Sequence, residues 1–331
     1  MSRMKNRLKS YFINIGAIIV IYALLTLLMK TGIINSYYEV IVISIGINII
    51  LAVSLNLATG YLGQLALGHA GFMAVGAYVS AICTAHMNLP DTLQLIVSLL
   101  IGGIVAGILG ILVGVPALRL KGDYLAIITL AFGEIIRVII LNLKITGGAR
   151  GLKGIPLLTS FNSVYWITVI IVAIIYTLIN SRHGRAIISI REDEIAAESV
   201  GIPTTFYKNF AFSLAALFAG IGGGLYAHYY TVLDPGSFDF MRSIEILIIV
   251  VLGGMGSLTG SIVAAIVLTI LPQLLIDFAD WRMLIYSIIL VIMMIFRPEG
   301  LFGKKEFSLM GLLNIKQKAI NTTPNSHGRS E

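Results

Sequence analysis

Residues 40–90 read VIVISIGINIILAVSLNLATGYLGQLALGHAGFMAVGAYVSAICTAHMNLP, and no Asp, Glu, Lys or Arg falls among them. A helix rises about 1.5 Å per residue, so a hydrocarbon core of about 30 Å takes about 20 residues. The run is too long for one crossing. Its middle carries Gly60, Gly63, Gly68 and Gly71 together with Gln64 and His69, between strongly apolar flanks. That segment breaks the run into two spans, near 40–59 and 65–86. The fold class follows: an all-α polytopic membrane protein.

Composition supports it. The 331 residues are 57% hydrophobic and 12% charged, with a mean hydropathy of +0.94, whereas soluble domains carry about 25% charged residues. So few charges cannot coat a soluble enzyme of this size, and a disordered scaffold is excluded by the same count. A transmembrane β-barrel alternates polar and apolar residues and reads as far less hydrophobic. The one cysteine, Cys83, excludes an internal disulfide, a CxxC pair and a thiolate zinc cluster, and reads as a small packing residue.

Ten transmembrane or re-entrant segments are expected, near 11–29, 40–59, 65–86, 92–118, 124–143, 162–180, 210–230, 243–254, 257–276 and 283–297. The first is too long for a signal-peptide core, and no small-residue cleavage site follows it. The eighth is short and ends in Gly253-Gly254-Met255-Gly256, as a half-helix or re-entrant segment would. Residues 1–303 read as one transmembrane domain and 304–331 as a polar cytoplasmic tail.

Net charge is +7, from 23 basic and 16 acidic residues. With the N-terminus inside, as Arg3, Lys5, Arg7 and Lys9 suggest, sixteen basic residues fall on the cytoplasmic side and six outside. The surplus therefore reads as topology rather than as a nucleic-acid patch. Both termini are then cytoplasmic, and so is the long polar loop 181–209.

Enzyme chemistry has no foothold. The five histidines show no HExxH or other metal-ligand spacing, and there is no G-x-S-x-G elbow and no phosphate-binding G-x-x-x-x-G-K-[ST] loop. If ATP drives this chain, another subunit hydrolyses it. Ionisable residues at membrane depth usually face a bundle interior or a watery cavity. Glu134 and Arg137 lie i, i+3 there and can pair. Two readings stand open for them, a pathway or gating pair and a self-neutralising structural pair.

Gly60, Gly63, Gln64, Gly68, His69 and Gly71 read as an element lining a substrate pathway, against the plainer reading of a tight turn with close helix packing. Irregular backbone is tolerated at membrane depth only when buried in protein or lining a cavity. His69 alone reads as a hydrogen-bonded packing residue. Gly253, Gly256 and Gly260 loosely echo Gly60, Gly63 and Gly68, which hints at an internal repeat. Gly103-xxx-Gly107, Gly110-xxx-Gly114 and the cluster Gly220 to Gly224 read as helix-packing surfaces.

In the loop 181–209, Asp193 is a plausible N-cap, Glu194 favours the first helical turn, and Gly201 suits the position after the last. Pro203 blocks continuation. About two turns of helix are expected, with Ala196, Ala197 and Val200 forming a small apolar face. Such a face fits a partner's groove, or lies at the membrane interface with no partner.

These segments resemble a known family, the membrane permeases of ATP-binding-cassette importers for branched-chain amino acids, of the longer LivM type. The resemblance rests on Gly63-Gln64-Leu65-Ala66-Leu67-Gly68-His69-Ala70-Gly71-Phe72, Leu118-Arg119-Leu120-Lys121-Gly122-Asp123-Tyr124, Ile190-Arg191-Glu192-Asp193-Glu194-Ile195-Ala196-Ala197-Glu198 and Arg297-Pro298-Glu299-Gly300-Leu301-Phe302-Gly303. It spans about 40–303. It implies that 185–203 is a coupling loop that docks on an ATPase, with Asp193, Glu194, Ala196, Ala197, Glu198 and Gly201 in it. The general pattern E-A-A-x-x-x-G aligns Ala196, Ala197 and Gly201, but Ile195 holds its Glu position and the later I-x-L-P is absent. Further implications are two ATPase subunits, a second permease of the LivH type, an extracytoplasmic binding protein, and ATP used by the partners with no cofactor on this chain. The expected activity is import of leucine, isoleucine or valine across the cell's inner or plasma membrane by alternating access. Urea, short amides or other neutral amino acids are the alternative cargo for the same kind of permease. An ion-coupled secondary transporter is disfavoured, because only Glu134 is placed as an intramembrane carboxylate.

Overall fold

The structure, a computed structural model, describes residues 2–32, 34–120 and 122–275, and beyond them Trp281, Leu284, Ser287, Ile288, Val291, Ile292, Ile295, Phe296, Gly300 and Gly303; side chains are described from Gly16 onward. Among the described residues eleven α-helices run in order: α1 (Ser2–Lys30), α2 (Ser36–Asn56), α3 (His69–Ala85), α4 (Asp91–Ala117), α5 (Asp123–Asn142), α6 (Phe161–Asn180), α7 (Arg182–Glu192), α8 (Glu194–Ser199), α9 (Thr204–Tyr230), α10 (Phe240–Gly253) and α11 (Leu258–Leu274). Nine of the ten expected segments match helices α1 to α6 and α9 to α11. The tenth, 283–297, lies mostly outside the described residues, as does the tail 304–331.

Side-chain caps mark several starts, as the local sequence dictates. Ser160 accepts from Ser163 N, Asp193 from Ala196 N, Asp239 from Arg242 N and Ser257 from Gly260 N. Among the described residues five helical stretches are long and apolar enough to cross a membrane: Ser36–Tyr61, Asp91–Ala117, Asp123–Asn142, Phe161–Asn180 and Thr204–Tyr230. Gly16–Lys30, His69–Ala85 and Leu258–Leu274 are shorter apolar helices. Outward faces are apolar too, with Ile104, Ile108, Leu112, Ile170 and Ile174 exposed. Water would penalise such faces and lipid does not. The chain is a multi-pass membrane protein.

Two compact units divide the chain. The first contains α1, whose Ile19, Val20, Leu24 and Leu27 are exposed, and the second runs from Glu39 to Lys305. Within the second, α3, α4 and α9 make the closest packing. Small residues permit it: a Cβ on Gly76 would run into Gly220 backbone, and one on Gly223 into the Met73 carbonyl. The Gly103 and Gly107 spacing on α4 faces Leu217 and Ile221 of α9, and Gly110 faces Ala216. The GxxxG surfaces read from the sequence are therefore the α4–α9 seam. α10 and α11 pack chiefly on each other.

The loops gather at two ends. At one, a two-residue antiparallel pairing joins Leu152–Lys153 to Val232–Leu233, and Ile155 N donates to Thr231 O. At the other, residues 60–63, Arg191 and Gly256 meet. Alternate crossing from the sequence puts those three loops on one side, and they lie together.

Two boundaries differ from expectation. α9 begins at Thr204, ahead of the apolar run, because Lys208 in its first turns is paired with Glu194 and tolerates burial. α7 was not foreseen within the polar loop. Ser181 caps it by accepting from His183 N and Gly184 N, and Ile187 and Ile190 bury one face.

Substituting Gly76 tests the seam. Gly76→Ala is expected to destabilise the detergent-solubilised protein by about 1–3 kcal/mol, the usual cost of overpacking, seen as a lower thermal midpoint. Gly16→Ala, where a Cβ meets nothing within 4 Å, is expected to leave it unchanged.

Candidate functional site at two helix breaks

α2 does not end cleanly. After Asn56 the chain widens into a π-helical turn over Leu57–Tyr61, where Leu62 N donates to Leu57 O at 3.1 Å. Such turns are rare and are frequent at functional sites. Residues 63–68 then run without helix, Gly63 at φ +78°, before α3 starts at His69. At 17 residues, α3 is about 25 Å long, and α10 at 14 is about 21 Å. Both fall short of a full hydrocarbon core.

The second break follows α10. Gly254 and Gly256 adopt φ +107° and +88° before α11 begins at Leu258. The two breaks touch, and Asn56, fully buried, ties them. Its Nδ2 donates to Ser257 O and Ser261 Oγ, both at 2.9 Å, while its Oδ1 accepts from Gly256 N at 2.9 Å. A Cβ on Gly60 would collide with Asn56 Oδ1 and Gly256 N. The glycine echo thus marks contact between the breaks. Their backbones differ, one a π turn with an extended run and the other a left-handed turn.

The predicted residues fall as follows. Gly60 is buried in the π turn, and its carbonyl accepts from Arg191 Nη1. Gly63 is exposed and Gln64 half-buried, with Gln64 N donating to Ala58 O at 3.0 Å. Gly68 precedes α3, packed on the Thr129 carbonyl, and Gly71 packs on Gly133 of α5, where a Cβ would lie 2.8 Å from its Cα. His69 is buried, its Nε2 within 2.9 Å of Ser54 Oγ, as a hydrogen-bonded packing residue should be. The first turn of α3 is also held from outside, since Ala70 N donates to Ser243 Oγ of α10 at 3.0 Å. Glu134 and Arg137 pair at 2.8 Å on α5 beside Gly133. Gly60, Gly63, Gly68, His69 and Gly71 belong to one continuous break region, with α5's Gly133 against its far end.

The loop helix α8 forms as expected. Asp193 Oδ1 accepts from Ala196 N at 3.0 Å, Gly201 sits at φ +83°, and Ile202 N donates to Ala197 O at 3.1 Å. The expected apolar face needs correction. Ala197 is only 3% exposed and is turned into this chain. Glu194 pairs with Lys208, and Glu198 Oε1 accepts from Thr204 Oγ1 at 2.6 Å, so both acids tie α8 to α9. The outward face is Ile195, 77% exposed, Val200, 75% exposed, and Ala196 between them. Helical phase explains it: positions 194, 197 and 198 share one side, and 195 and 199 another.

Asn56 and Ser257 lie in the two break stretches read from the sequence but were not among the expected site residues, and neither were Ser243, Ser261 and Arg191. A polar Asn inside an apolar run was a readable signal; the others act only through contacts between distant elements. Chemically the region offers backbone amides, carbonyls, hydroxyls and one guanidinium. Such groups can donate and accept hydrogen bonds to a polar ligand.

Comparison with known proteins agrees with this architecture. Residues 37–297 match the family model described as branched-chain amino acid transport system / permease component. The chain is 37% identical over 262 residues to the high-affinity branched-chain amino acid transport system permease protein LivM of Escherichia coli K12, and equally to that of Salmonella typhimurium LT2. Each match covers 69% of this chain and 61% of the relative. The corresponding LivH protein of Escherichia coli K12 is 27% identical over 153 residues, 45% of this chain and 49% of the relative. No solved structure matches. The family match runs from residue 37 to residue 297, most of the chain, and the chain belongs to the branched-chain amino acid transport system permease family.

Proposed function

We propose that this chain is one membrane-spanning subunit of an ATP-driven importer that carries leucine, isoleucine or valine inward by alternating access. The observation that carries the reading is the juxtaposition of α7–α8 with both helix breaks, in a chain of this family. The sixteen-to-six charge bias supports placing that end, and both termini, in the cytoplasm. Separate ATPase subunits dock on α8 there. A second permease of the LivH type completes the pathway, and a binding protein delivers cargo at the opposite end. ATP acts on the partners, and this chain holds no cofactor.

In the cycle, closure of the ATPases pushes α8, and the spans switch between outward and inward access. The break region serves the cargo's passage. A zwitterion needs partners for its carboxylate and ammonium, which backbone N–H and C=O groups near Gly60, Gly63, Gln64, Gly68, His69 and Gly71 supply. Ile, Leu and Val side chains supply the apolar surface. Glu134 and Arg137, self-neutralised at 2.8 Å, add polarity beside the break without a net charge that would trap cargo. Selectivity rests largely with the binding protein.

Two outcomes are expected. Proteoliposomes with the permease pair, ATPases and binding protein take up labelled leucine only with ATP, and faster than urea or alanine. Uptake persisting without ATP overturns the importer reading, and a preference for urea changes the cargo. Ile195→Asp and Val200→Asp are each expected to lower ATPase co-purification by roughly tenfold, the effect of losing about 1.4 kcal/mol of contact energy; full recovery with both removes α8 as the dock.

A further inference from the structure

One side chain connects the loop to both breaks. Arg191 is the penultimate residue of α7, two residues before the Asp193 cap of α8. Its Nη1 donates to Gly60 O, a carbonyl at the end of the π turn with no further helical turn to bond it. Its stem lies along the first break: a Cβ on Gly63 would sit 2.9 Å from Arg191 Cγ and 3.3 Å from its Cβ. Its guanidinium also abuts the second break, where a Cβ on Gly256 would sit 2.6 Å from Nη1. Both glycines hold positive φ, at +78° and +88°. The room that Arg191 occupies therefore exists because both breaks lack side chains there.

Its surroundings fix the mechanics. Among the described residues, no carboxylate forms an ion pair with Arg191. Its charge is directed to a backbone carbonyl, and a hydrogen bond from a charged donor is stronger than a neutral one. Behind it, Ile187 and Ile190 are buried and anchor α7, while Glu194–Lys208 and Glu198–Thr204 hold α8. In front of it, Asn56 already fastens the two breaks to each other. Arg191 thus joins two bodies, the loop helices and the paired breaks, that the neighbouring bonds make internally firm.

We propose that Arg191 is a positioning residue that transmits movement of α7–α8 to the paired breaks at 57–63 and 254–257, so that loop and breaks shift together during transport. This rests on the importer reading above. The donor to Gly60 O is the transmitting element, and the stem packed along Gly63 keeps it in line.

The test uses the reconstituted complex in proteoliposomes, with leucine as cargo. Arg191→Met keeps the stem and removes the donor, and Arg191→Lys keeps a donor. The readout is leucine transported per ATP hydrolysed, on complexes that retain their ATPases. Arg191→Met is expected to lower that ratio about tenfold or more, and Arg191→Lys to recover a substantial part of it. A residue that merely stabilised the fold would lower uptake and hydrolysis together and leave the ratio unchanged. Ratios within about twofold of wild type in both variants overturn the proposal, and so does loss of ATPase recovery in both. If Arg191→Met fails to fold, Arg191→Leu, which also removes the donor, takes its place, and a ratio within about twofold of wild type there overturns the proposal. A wild-type complex without ATP-dependent leucine uptake instead counts against the importer reading.

Discussion

Backbone that leaves helical geometry inside an apolar bundle must find hydrogen-bond partners there, and in this protein Asn56 provides them. Leaving a buried polar group unpaired costs about 1–3 kcal/mol. The amide of Asn56 uses both its ends, accepting from Gly256 N and donating to Ser257 O and Ser261 Oγ. It fixes where α11 starts relative to the end of α2. It also brings the two breaks close enough for one arginine to reach both.

The rest of the second unit divides by the kind of force that holds it. α3, α4 and α9 are joined by close glycine-mediated packing, as at Gly76–Gly220 and Gly223–Met73. Dense interiors of that sort resist deformation. α10 and α11 pack on each other and are also held by discrete polar ties, Ser261 to Asn56 at the end of α2 and Ser243 to the first turn of α3. A few hydrogen bonds can be exchanged for others at little net cost, whereas an interlocked seam cannot. The breaks lie on the exchangeable side of that division.

The loop helices show how one segment can be read correctly in outline and misread in detail. Asp193, Gly201 and Pro203 encode a short capped helix, because capping depends on residues within a turn of each other. Which face of that helix meets the rest of the chain depends on Lys208 and Thr204, which claim Glu194 and Glu198. Ala197 goes inward with them and Ile195 goes out. A pattern of small residues fitted to a family motif could not reveal that, since the partners that orient the helix come after the loop, on α9.

By itself, the sequence determined the fold class, the two breaks and nine of the ten expected segments, because the bilayer imposes length and hydrophobicity on each segment separately. The Glu134–Arg137 pair was legible for the same local reason, both residues lying on one turn of one helix. Tertiary structure alone decided that the breaks meet, that Asn56 satisfies them, and that Arg191 reaches from the loop onto Gly60 and past Gly63 and Gly256. The hydrogen bonds that Arg191 and Asn56 make across the region join residues 131 and 200 or more positions apart, a separation over which composition and periodicity carry no information. Packing brings them together, and the need to pair every buried polar group then selects which of them touch.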